Sequence, residues 1–176
     1  VCDMTVAPAN LIAPLFVHEA ADAPRPIASM PGVFQYPVRA VAGVARTLAA
    51  AGVGGVILFG IPRTIDAEGS GAWAADGGVQ QAVAALKAAA PSLVAMTDVC
   101  FCEYTDHGHG GLVNGTGPHH DPGLPAGYVL NDPTLDLLAR TAVSHARAGA
   151  NVVAPSGMLD GMVGAIRTGL DAEGYG

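Results

Sequence analysis

Val53-Gly-Gly-Val-Ile-Leu-Phe59, Gly78-Val-Gln-Gln-Ala-Val-Ala-Ala-Leu-Lys-Ala-Ala-Ala90 and Leu93-Val-Ala-Met-Thr-Asp-Val99 follow one another along the chain and decide its fold class. The first is a Val/Ile/Leu run set between glycines and reads as a buried strand. The second reads as a helix stopped by Pro91, and the third as another strand. Working outward, residues 11–17 form a short apolar strand, and residues 38–51 form an Ala-rich helix ended by Gly52. On the other side, residues 134–148 read as a helix with Asn131 and Asp132 as caps and Gly149 as its stop. Residues 151–154 make a strand closed by Pro155, and residues 161–170 a fourth helix ending near Gly174.

Four strand–helix units in a row predict an α/β fold. Continuous apolar strands imply a parallel sheet covered on both faces. Four units can form an open sheet, or half of an eight-unit barrel, which typically takes about 250 residues. The long stretches 60–77 and 101–131 follow strands, on the face where barrel enzymes keep their active sites, and favour the barrel. The four strands are expected side by side in chain order.

The chain has 176 residues, enough for one domain with a real core. Charged residues make up 13%, against about 25% in an ordinary globular chain, so the apolar surface calls for partners or further sequence to cover it. A net charge of −7 without any Lys/Arg run argues against nucleic acid and anionic membranes as partners. The apolar runs are too short and too broken for a membrane helix. Val1-Cys-Asp-Met4 lacks the charged and apolar regions of a signal peptide. Three cysteines, two of them as Cys100-x-Cys102, fit metal binding in a reducing compartment better than a disulfide framework, and a cytoplasmic location follows from that reading.

The densest polar cluster is Asp98-Val-Cys100-Phe-Cys102-Glu-Tyr-Thr-Asp106-His107-Gly-His109-Gly-Gly. Cysteines two apart on an extended segment point the same way, so both thiolates can reach one ion. Zinc prefers sulfur and nitrogen ligands, and a nearby His109 would be a third. The plainer reading is a glycine-rich loop with small buried thiols and surface histidines. Asp98, at a strand's C-terminal end, is either a hydrogen-bond anchor for the loop or a catalytic carboxylate. Residues 115–128 carry His119, His120 and Asp121 among glycines and prolines and read as a mobile, exposed insertion. His145 is a helix-face residue, His18 a structural one, and Arg63 a cation that could face an anionic substrate. Gly69-Ser-Gly71 fits no phosphate-binding fingerprint.

The cluster Asp98–His109 resembles the metal-loop signature of the porphobilinogen synthase family. Further blocks match in the family's order: Leu11-Ile-Ala-Pro-Leu-Phe-Val17, Pro26-Ile-Ala-Ser-Met-Pro-Gly-Val33, Leu58-Phe-Gly-Ile-Pro62, Asn131-Asp-Pro-Thr-Leu135, Val153-Ala-Pro-Ser156 and Asp160-Gly161. The resemblance implies a (β/α)8 TIM barrel, with residues 1–176 as the N-terminal half of a single catalytic domain. It also implies condensation of two 5-aminolevulinate molecules to porphobilinogen, a homo-oligomer in full-length members, and a zinc cofactor, or magnesium in some members. Carried onto this chain, Asp98 is the catalytic candidate, Ser156 the substrate-binding one, and Cys100, Cys102 and His109 the metal ligands.

Departures from the pattern are specific. In the family two lysines form Schiff bases with the substrate carbonyls, and an amine nucleophile is a chemical necessity there. This chain has one lysine, Lys87, on a predicted surface helix, and the family's lysines lie in later strands. Zinc-using members carry a third cysteine where Gly110 stands. The family usually has Asp at the Gly157 position and Arg at the Met162 position. The alternative to half of an enzyme is a non-catalytic half-barrel that binds metal or serves as an interaction subunit.

Overall fold

The computed structural model describes residues 5–115 and 119–176. Val1–Met4, on which the reading of the first residues falls, and Thr116–Pro118 of the insertion lie outside the described residues. The elements in chain order are β1 (Ile12–His18), β2 (Arg25–Pro26), β3 (Phe34–Tyr36), α1 (Val41–Ala50), β4 (Gly55–Ile61), α2 (Gly78–Ala89), β5 (Val94–Val99), α3 (Asn131–Arg147), β6 (Val152–Pro155) and α4 (Met162–Ala172). They form one sheet in the order β2-β3-β1-β4-β5-β6. The four strands expected from the sequence, β1, β4, β5 and β6, are neighbours in that order and all parallel. The chain thus has an α/β fold with four βα units of a partial barrel.

Period-two alternation assigns the two faces of the sheet. Leu15 and Val17, Val56 and Leu58, and Ala95, Thr97 and Val99 are buried. The apolar residues among the first six pack with Val41 and Ala45 of α1 and with Val79, Ala82, Val83 and Leu86 of α2 in one core cluster. Leu58 and Leu86 are fully buried, and each such side chain contributes roughly 1.5–3 kcal/mol. A second cluster joins Val99 and Phe101 to Leu138 and Ala142 of α3 and to Ile166 and Leu170 of α4. The alternate residues, Phe16, Ile57, Phe59, Met96 and Asp98, are only half-buried on the opposite face, which in a closed barrel is the interior. Phe16 and Phe59 stack there with ring centroids 5.3 Å apart.

Several local readings are corrected. β2 and β3, which the hydrophobic pattern did not announce, add two strands beside β1. β3 pairs parallel to it at Phe16 and Val17, and β2 antiparallel to β3. The outer edge of β1 is therefore covered at its C-terminal end, while Leu11 and Ile12 remain exposed. Pro155 does not close β6 but belongs to it, opposite Val99, as an edge strand permits. Asn131 and Asp132 are not caps: α3 begins at Asn131, with Leu130 at its N-cap position and no side-chain cap. Instead, Asn131 ties the start of α3 to the β6–α4 connection. Its Oδ1 accepts from the Asp160 N–H (2.9 Å), and its Nδ2 donates to the Asp160 carbonyl (3.1 Å).

The insertion is pinned rather than loose on its described residues. Asn114, almost wholly buried, donates from Nδ2 to the carbonyls of Asp121 (2.9 Å) and Leu124 (2.8 Å) and accepts the Asp121 N–H at Oδ1 (2.9 Å). His119 Nε2 lies 3.3 Å from Glu68 Oε1, linking the insertion to the β4–α2 connection. No helix among the described residues is long and apolar enough to cross a membrane.

Candidate metal loop and acid–base site

Strand β5 delivers Asp98 to the C-terminal end of the sheet, and pairing with β6 sets Asp98 opposite Ala154. Ser156 follows directly. Its N–H donates to the Val99 carbonyl (3.1 Å), and its hydroxyl lies near enough to the Asp98 carboxylate to favour the ionised form. Two sequence candidates, one at the end of β5 and one just after β6, thus come together. Burial, reinforced by the charge of Glu103, pushes the Asp98 carboxyl up to about 6, against the partial relief of the Ser156 hydroxyl.

Beyond Val99 the chain leaves the extended conformation. The Phe101 carbonyl accepts the N–H groups of Tyr104 (2.9 Å) and Thr105 (3.0 Å), closing a tight turn. Phe101 itself is buried, edge-on to Trp73 at 5.9 Å between ring centroids. The premise that both cysteines lie on an extended segment is therefore not met. In a turn, residues three apart become neighbours, so Glu103 returns to Cys100. One ligand atom each from Asp98, Cys100 and Glu103 all lie within 4.8 Å of one another. Glu103 is the functional candidate that sequence reasoning passed over, since only the turn brings it there.

Cys102 is exposed, and its N–H donates to Cys100 Sγ (3.4 Å). Burial, with Cys102 and Glu103 alongside, pushes the Cys100 thiol up to about 12. His109 is exposed and stands outside the close group. Its N–H donates to His107 Nδ1 (3.1 Å), and its carbonyl accepts from the Thr105 hydroxyl (2.8 Å). A Cβ built at Gly110 would lie 3.4 Å from Cys102 Sγ, so a side chain at this position would sit against that thiol.

The β4–α2 connection braces the loop from outside. The Asp66 N–H donates to the Tyr104 carbonyl (3.2 Å), and the Asp106 N–H donates to the Asp66 carbonyl (3.1 Å). Burial of the Asp66 carboxylate is outweighed by donors from Ser70 and Glu68, which lower its pKa. The Gly69-Ser-Gly71 segment, which fits no phosphate fingerprint, thus serves as an Asp66-bound turn. Arg63 lines a cavity of about 530 Å³ together with Glu19, Ser70 and Asp76, and neither Asp98 nor Cys100 lines it. Glu19 orders this corner: its Oε1 accepts the Gly78 N–H (2.6 Å) and its Oε2 the Arg63 N–H (3.0 Å).

Two remaining residues sit differently from expectation. His145 is fully buried, not on an open helix face. Its Nδ1 lies 3.0 Å from the Thr97 hydroxyl, locking α3 to β5 one residue before Asp98, and burial lowers its pKa to about 4. Lys87 does not face open water. Its Nζ donates to the carbonyls of Pro91 (3.0 Å) and Leu93 (3.2 Å) and to Asn151 Oδ1 (3.0 Å), at the N-terminal ends of β5 and β6. That is the end of the sheet opposite Asp98.

The raised Asp98 value has a measurable consequence. A carboxyl whose folded value lies above its ordinary 3.8 gives stability that is fully present below that pH and lost as pH rises through about 6. In metal-free protein, Asp98→Asn is expected to match the wild type near pH 3.5. Above pH 6 it should be more stable by on the order of 1–2 kcal/mol, after reduction for the group's solvent contact. Urea titrations across this range check it, and a gap independent of pH would contradict the assignment.

The profile of the delta-aminolevulinic acid dehydratase family matches residues 1–176. Delta-aminolevulinic acid dehydratase of Synechococcus elongatus is 43% identical over 98% of this chain and 51% of its own length. That of Archaeoglobus fulgidus is 45% identical over 97% of this chain and 49% of its own. Among solved structures, the delta-aminolevulinic acid dehydratase (porphobilinogen synthase) of Toxoplasma gondii in complex with the reaction product porphobilinogen superposes with a TM-score of 0.88. It has 34% identity, covering 99% of this chain and 47% of that one. The chain spans about half the length of the relatives it matches.

Proposed function

The chain belongs to the delta-aminolevulinic acid dehydratase family, and from that membership we propose that it supplies the metal-loop half of an enzyme condensing two 5-aminolevulinate molecules into porphobilinogen. The observation that carries this reading is the meeting of Asp98, Ser156 and the Cys100–Glu103 turn at the C-terminal ends of β5 and β6, the end where barrel enzymes do chemistry. A carboxyl held near 6 exchanges a proton readily at neutral pH, so Asp98 can take up and return a proton at its carboxylate oxygen while Ser156 orients it. The Ser156 hydroxyl, exposed beside Asp98, can also hydrogen-bond a polar group of the substrate.

The donor set fits a divalent metal. Cys100, Cys102 and Glu103 share one turn, with the Asp98 carboxylate at the end of β5 close to Cys100 and Glu103, and thiolates favour zinc over magnesium. Cys100 and Cys102 are the thiolate ligands, with a third protein ligand from the same loop, His109 or Glu103. A zinc ion bound there would act as a Lewis acid on a substrate oxygen. Schiff-base lysines at the same mouth are outside this chain's contribution, because Lys87 is at the other end of the sheet.

Complementation tests the proposal. Mixed with a separately expressed lysine-bearing half of a family member, the chain is expected to restore porphobilinogen formation. Asp98→Asn should lower that restored kcat by at least about a hundredfold, the usual scale of a lost general acid–base group. Full turnover from the Asp98→Asn mixture would remove Asp98 from the chemistry.

A further inference from the structure

We propose that Glu103 is a direct metal ligand in this chain, taking the place of the third thiolate, so that the loop holds a borderline divalent cation through mixed sulfur and carboxylate donors. The inference rests on the metal-loop reading above and names its ligand set. The carboxylate oxygens of Asp98 and Glu103 and the sulfur of Cys100 already lie within 4.8 Å of one another. The Glu103 carboxylate and the Cys100 sulfur this close to one another leave a shared position that a cation can fill, with the Asp98 carboxyl beside it. The arrangement follows from the chain itself: β5 ends at Val99, the Phe101 carbonyl closes the turn on Tyr104 and Thr105, and Glu103 is carried back over Cys100.

Position 110 explains why a carboxylate is needed. Glycine there offers no donor, although a side chain would lie against Cys102 Sγ. His109, the other candidate, is outside the close group, and its backbone is fixed by Thr105 and His107 rather than by the cysteines. A carboxylate oxygen beside the sulfur suits zinc or cobalt(II). Magnesium binds thiolate poorly and is excluded by the Cys100 donor. Glu103 is exposed, so its replacement leaves the core untouched.

The experiment uses the whole chain with zinc in calorimetry and cobalt(II) in absorbance, where a sulfur-to-cobalt charge-transfer band reports thiolate ligation. Wild type is expected to bind one equivalent with that band, and a large excess of magnesium should leave the band in place. Glu103→Gln should keep the band and the circular dichroism of the fold. It should bind at least about tenfold more weakly, since even an outer-shell partner's loss costs that much. His109→Ala should bind as wild type does. Wild-type affinity in Glu103→Gln, or the affinity loss appearing in His109→Ala instead, overturns the inference while leaving the metal loop standing. Undiminished binding in Cys100→Ala, or none in wild type, overturns the metal-loop reading and the inference with it.

Discussion

Lys87 is expected to stay unmodified when the chain is incubated with 5-aminolevulinate and borohydride, and the chain by itself should form no porphobilinogen. A Schiff base needs a nitrogen lone pair directed at a carbonyl carbon. An ammonium has three hydrogens to donate, and those of Lys87 meet three acceptors: the carbonyls of Pro91 and Leu93, and Asn151 Oδ1. These acceptors come from the turns that feed β5 and β6, so the side chain clamps the bottom of the sheet. Catalytic groups of a barrel gather at the other end, where Asp98 and Ser156 meet. Peptide mapping by mass spectrometry after reduction reads the result. A stable adduct on Lys87 would show that the amine is free and would undo the assignment of this chain to the lysine-free half.

Gly60→Ala should destabilise the protein by roughly 1–3 kcal/mol, the usual cost of overpacking, and should weaken metal binding at the same time. Gly60 lies in β4 beneath Tyr104. A Cβ there would stand 2.0 Å from Tyr104 Oη and 2.8 Å from Val79 Cγ2. Tyr104 is buried and belongs to the Phe101–Thr105 turn, so it cannot retreat without moving Cys100 and Glu103. Removing the hydroxyl with Tyr104→Phe should recover only part of the loss, because the 2.0 Å clash goes while the ring carbon at 3.0 Å and Val79 Cγ2 at 2.8 Å must still shift. Thermal melts and zinc titrations of the single and double variants measure both effects. Equal stability of Gly60→Ala and wild type would show that Tyr104 yields freely and does not brace the loop.

The four parallel strands and their order were legible because each is a short apolar run between turn residues, followed by a helix with its own stop. Residues Val53–Phe59 and Leu93–Val99 show this without reference to anything distant. The polar cluster at the end of β5 was equally plain, since Asp98, Cys100 and Cys102 stand together in the chain. β2 and β3 were not legible. Two and three residues are too few for a period, and they become strands because the C-terminal end of β1 offers them an edge at Phe16 and Val17. Glu19 was missed for a related reason: its partners, Gly78 and Arg63, lie 59 and 44 residues away.

By itself the sequence determined the parallel α/β architecture, the end of the sheet that carries the polar cluster, and the presence of thiol and carboxylate groups in one loop, because these depend on local periodicity and on which residues are neighbours in the chain. Tertiary structure alone decided which donors meet. The turn closed on the Phe101 carbonyl brings Glu103 rather than His109 to Cys100, β5–β6 pairing sets Ser156 on Asp98, and the β5 and β6 turns draw Lys87 to the far end. The physical reason is that a side chain's partners are fixed by backbone direction and by elements distant in sequence.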